Sequence, residues 1–183
     1  VPFLFARPFW VIPSWCEPPP EAPREKTFHI YVEPGMAFGT GTHETTRLAA
    51  GLMIEELAAR PAASLVDVGT GTGILGLIAS RLGVGKVVGL DIDPEARRTA
   101  RENLERNRPH VGFEIREDQI DENRDVYDVV VANIIDGVLT VLRHDLTKAL
   151  KPGGRMILSG VLLDREAEFY TGFTADTGLK LLK

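Results

Sequence analysis

The chain has 183 residues, enough for one domain of ordinary size with a substantial hydrophobic core. Hydrophobic residues make up 44% and charged residues 26%, which is typical of a folded globular protein and excludes wholesale disorder. The formal net charge of −5 argues against direct nucleic-acid binding, because such binding depends on basic side chains that neutralise phosphates. The single cysteine, Cys16, excludes an internal disulfide and fits a reducing compartment.

The chain shows no sign of a membrane segment or an export signal. No apolar run approaches the roughly 20 residues that a transmembrane helix needs. The apolar opening is broken by Pro2, Arg7, Pro8 and Pro13 and has no basic start, so it does not resemble a signal peptide. We therefore expect a cytoplasmic location and no membrane partner.

The N-terminal segment is rich in proline, with seven of the twelve prolines before Thr27. This density favours an extended lead-in over a helix or a central strand. Residues 9–15 could form an edge strand, and the alternation over residues 28–32 predicts another strand. We therefore divide the chain into a lead-in with an edge strand, residues 1–33, and a main domain, residues 34–183.

The main domain begins with a predicted helix over residues 44–59, and strands then alternate with helices. Repeated units of this length predict an α/β fold with a Rossmann-like, doubly wound, mostly parallel sheet and helices on both faces. A short apolar run at 179–183 begins a further strand just where the chain stops, so we expect that C-terminal strands are missing or disordered, with a natural short terminus as the alternative. Separately, the lack of an initiating Met suggests a fragment or a processed chain. The predicted strands are 64–68, 86–90, 111–115, 127–132 and 155–160, and the later helices are 74–82, one from Pro94, 138–150 and 164–177.

A glycine-rich turn follows the first strand of this series. Gly69, Gly71 and Gly73 stand between a buried strand and a helix, where glycine permits a sharp turn and close approach of a ligand to the backbone. Asp91 follows the second strand, and a carboxylate there can accept both hydrogen bonds from a ribose diol. The two strand ends together predict a nucleoside-binding site.

Two classes of nucleotide-binding site contain a glycine turn of this kind. In the dinucleotide fingerprint G-x-G-x-x-G the third glycine would fall at residue 74, which is Ile74. The alternate spacing 69, 71, 73 is typical of S-adenosylmethionine-dependent methyltransferases, and we favour that class over a nicotinamide-dependent oxidoreductase. A catalytically silent module that binds the same cofactor is a third interpretation.

Asn133 ends the fourth predicted strand of this series. Many amine methyltransferases carry Asn-Pro-Pro and an aromatic residue here, and the Asn side chain and the next carbonyl accept hydrogen bonds from the target amine. Asn133 and the backbone of Ile134 can fill these roles, although the prolines and the aromatic residue are missing. The alternative is that Asn133 only caps the strand by binding loop backbone.

The segment GMAFGTGTHETT, residues 35–46, is a second glycine-rich loop that opens a helix. Helix N-termini favour carboxylates and other anions. His43-Glu44 suggests a zinc motif, but H-E-x-x-H requires histidine where the chain has Arg47. We therefore predict no metal site.

The combination of GMAFGTGTHETT, DVGTGTGILG, GLDIDP and VVVANI closely resembles the family of methyltransferases that modify ribosomal protein eleven of the large subunit. The resemblance runs from about residue 10 to 160 and implies a class I S-adenosylmethionine-dependent methyltransferase fold. It also implies methylation of lysine and N-terminal amino groups of that ribosomal protein. The residues implied to contact S-adenosylmethionine are Thr46, Gly69, Asp91 and Asn133, to which the glycine turn adds Gly71.

One departure from the family affects the expected target. The family carries a separate N-terminal domain that docks the ribosomal protein, and nothing ahead of residue 28 is long enough to be that domain. The chain is therefore expected to be a catalytic-domain fragment. Alternatively, it is a single-domain relative that acts on another protein, as the electron transfer flavoprotein lysine methyltransferases do.

Overall fold

The structure, a computed structural model, describes residues 1–23, 25–32, 43–109 and 111–182. Its elements in chain order are β1 (Phe3–Ala6), β2 (Phe9–Pro13), β3 (Phe28–Val32), α1 (Glu44–Ala59), β4 (Ser64–Val68), α2 (Ile74–Arg81), β5 (Lys86–Leu90), α3 (Pro94–Asn107), β6 (Gly112–Arg116), β7 (Tyr127–Asn133), α4 (Asp136–Lys148), β8 (Leu150–Ser159), a 3₁₀ turn (Leu163–Arg165) and α5 (Glu166–Thr174).

The main sheet has five parallel strands in the order β6-β5-β4-β7-β8. The chain runs outward from β4 to β6 and then returns to the other side of β4 through β7 and β8. This reversal confirms the predicted doubly wound α/β class, and it places the ligand-binding crevice at the carboxyl ends of β4 and β7.

Alternate residues of the strands supply two hydrophobic layers, one on each face of the sheet. Leu65 and Val129 pack in the layer beneath α1, α2 and the N-terminal strands. Val66 and Val130, their neighbours in the chain, pack in the layer beneath α4 and α5. Both faces are covered, which explains why these strands are almost continuously apolar.

Local sequence signals explain where α3 begins. Pro94 occupies the first turn, where its missing N–H removes no helical hydrogen bond. The Asp93 carboxylate accepts a hydrogen bond from the Glu95 N–H at 2.9 Å and caps the helix. The structure confirms the predicted start of this helix.

The proline-rich lead-in forms a three-stranded sheet in the order β1-β2-β3. The expectation that residues 9–15 form an edge strand is wrong, because β2 lies in the middle, antiparallel to β1 and parallel to β3. Pro8 and Pro13 stand just before β2 and at its last residue, so neither interrupts the strand's interior. The predicted strand over residues 28–32 is confirmed as β3.

A side chain of α3 binds the backbone of the lead-in sheet. The Asn107 Oδ1 accepts a hydrogen bond from the Tyr31 N–H at 2.8 Å, and the Asn107 Nδ2 donates to the Tyr31 carbonyl at 2.6 Å. Phe5, Phe9 and Ile30 share the hydrophobic layer that also contains α1 and α2. The proposed division of the chain at residue 33 remains a prediction.

Two expectations about the C-terminal half are wrong. Leu150 does not continue α4, which ends at Lys148, and instead pairs with Tyr127 as the first residue of β8. The register then shifts, since Val129 pairs with Arg155, so the Lys151–Gly154 stretch forms a bulge inside the strand. The predicted strand at 179–183 is absent over residues 179–182, which have no regular secondary structure.

Within the described ranges, no helix is long and apolar enough to cross a lipid bilayer.

Candidate active site

Three predicted site residues lie side by side at the carboxyl edge of the main sheet. Val68 pairs with Leu90 on one side and with Ala132 on the other. The residues that follow them, Gly69, Asp91 and Asn133, therefore leave three adjacent strands at the same level. This row lies where the reversal of strand order predicts a ligand-binding crevice.

The glycine turn adopts a backbone that residues with side chains rarely tolerate. Gly69, Gly71 and Gly73 have φ angles of +72°, +55° and +79°. A Cβ atom on Gly69 would lie 2.5 Å from the Cγ2 of Ile134, at the end of the neighbouring strand. Glycine at residue 69 therefore serves both the turn and the close packing of β4 against β7.

Asp91 holds the glycine turn in place through its carboxylate. Its Oδ2 accepts from the Gly71 N–H at 2.9 Å, and its Oδ1 accepts from the Asp93 N–H at 3.0 Å. Arg97 donates to the Asp91 carbonyl at 2.9 Å. A carboxylate has about four lone-pair sites, so Asp91 keeps acceptor capacity beyond these two bonds.

Thr46 and Asn133 meet at the other side of the row. The Asn133 Nδ2 donates to the Thr46 Oγ1 at 3.0 Å, and both residues are buried. One residue earlier, the Thr45 carbonyl accepts from the Ser159 Oγ at 2.9 Å. These two bonds fix the first turn of α1 over the ends of β7 and β8.

The Ile134 carbonyl leaves no room for a side chain at residue 160. A Cβ atom on Gly160 would lie 2.3 Å from the Ile134 oxygen, and Gly160 has a φ angle of +96°. The sequence analysis missed this residue, because a glycine after a strand end has no distinctive motif around it.

Asp67 is a second residue that the sequence analysis did not select. It lies inside β4 with 1% of its surface exposed, and its Oδ2 accepts from the Thr70 Oγ1 at 2.7 Å. Burial, reinforced by the nearby Asp91 carboxylate, raises the pKa of Asp67 to about 7 against the lowering effect of its hydrogen bonds. The sequence signal that could have identified Asp67 is an ionisable residue inside an otherwise apolar strand.

Asn103 supports the same turn from α3. It is fully buried, and its Nδ2 donates to the Thr72 carbonyl at 2.9 Å. This contact was also missed, since it joins residues 31 positions apart in the chain.

The second glycine-rich segment is described only at its end. Residues 35–42 of GMAFGTGTHETT lie outside the described residues, and residues 43–46 enter α1. His43 is exposed, and its Nδ1 lies 2.7 Å from the Thr45 Oγ1. In the part of the chain that the structure describes, no cluster of three or more His, Cys, Asp or Glu side chains could hold a metal ion.

The row of strand ends carries hydrogen-bond acceptors whose chemistry suits a nucleoside and an amine. Asp91 offers acceptors beside a backbone without side chains, which suits a ribose. Asn133 offers an amide oxygen, because its nitrogen is engaged by Thr46. Among the predicted site residues, Asn133 is hydrogen-bonded to Thr46, and Gly71 is hydrogen-bonded to Asp91. Gly69 packs closely against the side chain of Ile134. Their roles remain predictions.

Comparison with known proteins points to one family. The family profile described as "Ribosomal protein L11 methyltransferase" matches residues 1–181. A ribosomal protein L11 methyltransferase of Ralstonia nicotianae is 40% identical over 175 residues, covering 96% of this chain and 55% of its own length. One of Cupriavidus metallidurans is 41% identical over 167 residues, covering 91% and 52%. The chain therefore spans about half the length of the curated relatives it matches.

Solved structures agree with these matches. The crystal structure of a ribosomal protein L11 methylase from Lactobacillus delbrueckii subsp. bulgaricus superposes with a TM-score of 0.84 at 28% identity, covering all of this chain and 93% of that one. A protein arginine methyltransferase of Arabidopsis thaliana shares the fold alone, with a TM-score of 0.53 at 21% identity over 63% of this chain and 35% of that one. The chain belongs to the ribosomal protein L11 methyltransferase family.

Proposed function

We propose that this chain is the catalytic part of an S-adenosylmethionine-dependent protein N-methyltransferase that acts on amino groups of ribosomal protein L11. The observation that carries the proposal is the level row of strand ends bearing Gly69, Asp91 and Asn133. One side of the row suits a nucleoside and the other suits an amine. A ribosomal substrate would place the reaction in the cytoplasm.

The residues at the row fit S-adenosylmethionine. The remaining lone pairs of Asp91 accept from the two ribose hydroxyls, while Gly71 stays bound to the same carboxylate. Gly69 and Gly71 have no side chains, so the cofactor can lie against the backbone. The first turn of α1, with Thr46, supplies polar groups near the strand ends. When bound, the cofactor supplies an activated methyl group.

Asn133 is proposed to orient the target amine. Its Nδ2 is bound to Thr46, which leaves its Oδ1, among the contacts of the described residues, as the atom that accepts a hydrogen bond from the amine N–H. The Ile134 carbonyl, with which a side chain at residue 160 would collide, accepts a second hydrogen bond. Two acceptors on one side of the nitrogen direct its lone pair to the other side, and this positioning supplies much of the required rate enhancement.

The amine must lose its proton before it reacts, because an ammonium has no free lone pair. Neither the Asn133 amide nor a backbone carbonyl can take up that proton. Entry into a site sheltered from water lowers the pKa of an amine. The proton is therefore released to solvent as the amine enters.

The names of the related enzymes support the assignment of the substrate. Their chains are about twice as long as the part matched here, so residues outside the matched part could contribute to recognition of the ribosomal protein. The competing assignment is a single-domain lysine methyltransferase that acts on another protein.

Calorimetry with S-adenosylmethionine and with S-adenosylhomocysteine tests cofactor binding, and we expect heat with both. Transfer of radiolabelled methyl groups to purified ribosomal proteins tests the substrate, and we expect label on L11.

We expect Asn133→Ala to reduce turnover strongly while cofactor affinity changes modestly. Saturable binding of NADH without S-adenosylmethionine binding would instead support a nicotinamide-dependent oxidoreductase. Cofactor binding without transfer to any protein in a cell extract would indicate a silent module.

A further inference from the structure

Three large apolar side chains project into solvent beside the candidate active site. Ile135 is 68% exposed, Leu162 is 59% exposed and Leu163 is 91% exposed. We call these three residues the apolar rim. A single exposed apolar side chain is common on protein surfaces, whereas apolar side chains that form one contiguous exposed patch mark a binding site.

The apolar rim is continuous with the residues proposed to hold the target amine. Ile135 stands two positions after Asn133, the last residue of β7. The loop after β8 crosses the same place, since Gly160 packs against the Ile134 carbonyl. A substrate segment that presents an amine to Asn133 must therefore pass beside the rim.

An ion pair holds the two loops of the rim together. The Arg165 Nη1 lies 2.8 Å from the Asp136 Oδ2, and the Asp136 side chain is only 10% exposed. The other Asp136 oxygen accepts from the Gly137 N–H at 2.9 Å. Since Asp136 follows Ile135 and Arg165 lies two residues after Leu163, the pair fixes the rim residues relative to each other.

The charge beside the rim is negative. Asp164, Glu166 and Glu168 are all exposed. Arg165 lies among them, but its charge is paired with Asp136. Exposed carboxylates at the edge of a binding surface favour a partner of opposite charge and speed its association.

From this combination we infer that the apolar rim and the acids at 164, 166 and 168 dock the substrate segment around the target amine, and that this segment is cationic with apolar residues next to the target lysine. The inference rests on the proposed function and adds the chemistry of its protein substrate. Apolar contact would supply most of the affinity, and the acids would select against acidic segments.

Binding of synthetic peptides tests the inference without requiring turnover. A fluorescent peptide with one lysine between leucines and with flanking arginines is titrated with the intact chain, and anisotropy gives the Kd. A second peptide has glutamates in place of the arginines. The variants are Leu162→Ser/Leu163→Ser and Asp164→Asn/Glu168→Gln. The control is Val126→Ser, because Val126 is 50% exposed and precedes β7 at the amino end of the main sheet.

We expect the basic peptide to bind more tightly than the acidic one, and the leucine variant to raise its Kd about tenfold or more, because each leucine can bury substantial apolar surface. The acid variant should weaken the dependence of the Kd on salt. Val126→Ser should leave the Kd and its dependence on salt unchanged.

The outcomes separate this inference from the proposed function. Failure of the wild type to bind S-adenosylmethionine in calorimetry overturns the proposed function. Normal cofactor binding with no peptide binding, with equal affinity for both peptides, or with no effect of the leucine variant overturns the docking surface alone. A change of oligomeric state in the leucine variant by ultracentrifugation would also overturn it, since the rim would then contact a second copy of the chain.

Discussion

The Nδ2 of Asn133 donates a hydrogen bond to the Oγ1 of Thr46 at 3.0 Å, joining the end of β7 to the first turn of α1. The two residues are 87 positions apart in the chain and are both buried. Because the amide nitrogen is held in this way, the amide oxygen is left as the acceptor for a ligand. This bond is the basis of the first prediction.

Replacing Thr46 by valine should impair both stability and catalysis. Thr46→Val keeps the shape of the side chain but leaves the buried Asn133 Nδ2 without its acceptor, which costs about 1–3 kcal/mol. The amide also loses its fixed orientation, so kcat should fall. Urea denaturation and methyl transfer measure the two effects. Thr46→Ser keeps the hydroxyl and should retain most of both, and equal kcat values for the two variants would contradict the orienting role.

Substitutions at Asp91 and Asp93 should have different effects, because Asp91 is proposed to bind the cofactor and Asp93 caps α3. Asp91→Asn replaces one acceptor oxygen by an NH₂ group beside two backbone donors and weakens charge-assisted bonds to a ribose. Calorimetry should show a loss of S-adenosylmethionine affinity of about tenfold to a hundredfold. Asp93→Ala removes the cap of α3 and should cost about 1 kcal/mol of stability without changing that affinity. Similar affinities in the two variants would contradict the role given to Asp91.

The close approach of Gly69 and Ile134 can be tested by a double-mutant cycle. Gly69→Ala places a Cβ 2.5 Å from the Ile134 Cγ2 and imposes a positive φ on alanine, a strain of about 1–3 kcal/mol before the clash is counted. Ile134→Ala removes that Cγ2 atom. Urea denaturation should therefore show a smaller penalty for Gly69→Ala in the Ile134→Ala background than in the wild type. Equal penalties would mean that the backbone angle alone requires glycine.

Asp67 should make stability depend on pH between its unfolded and folded pKa values. Burial raises the pKa of Asp67 from 3.8 to about 7, so in this range the folded chain holds a proton that the unfolded chain has released. Its stabilising contribution is complete below the lower value and is lost as pH rises through the upper one. The slope is at most about 1.4 kcal/mol per pH unit.

Asp67→Asn removes this titration while keeping an acceptor for the Thr70 hydroxyl. We expect urea denaturation between pH 4 and 7, a range set roughly by the two pKa values, to show a flatter stability profile for the variant. Asp128→Asn is a suitable comparison, because hydrogen bonds from Lys151 and Ser64 outweigh desolvation and keep the pKa of Asp128 below its ordinary value. A profile of Asp67→Asn parallel to that of the wild type would contradict the assignment.

Much of the main domain could be predicted because its signals are local. Apolar runs, Pro94 at a helix start and glycines after β4 identify elements from a few neighbouring residues. The bounds of α1, β4 and β5 matched the predictions for this reason. The end of α4 did not, because Leu150 continues the helical spacing and only its pairing with Tyr127 assigns it to β8.

Short-range preferences and residue spacing were enough to predict the alternation of strands and helices, the glycine turn and the polar residues at the strand ends. Three further features depend on how distant parts of the chain pack together: the central position of β2, the binding of Asn107 to the backbone of Tyr31, and the contact of Thr46 with Asn133. These contacts join residues far apart in the chain. They form because the packing of the sheets and helices brings these residues together. No local sequence pattern specifies which distant residues meet.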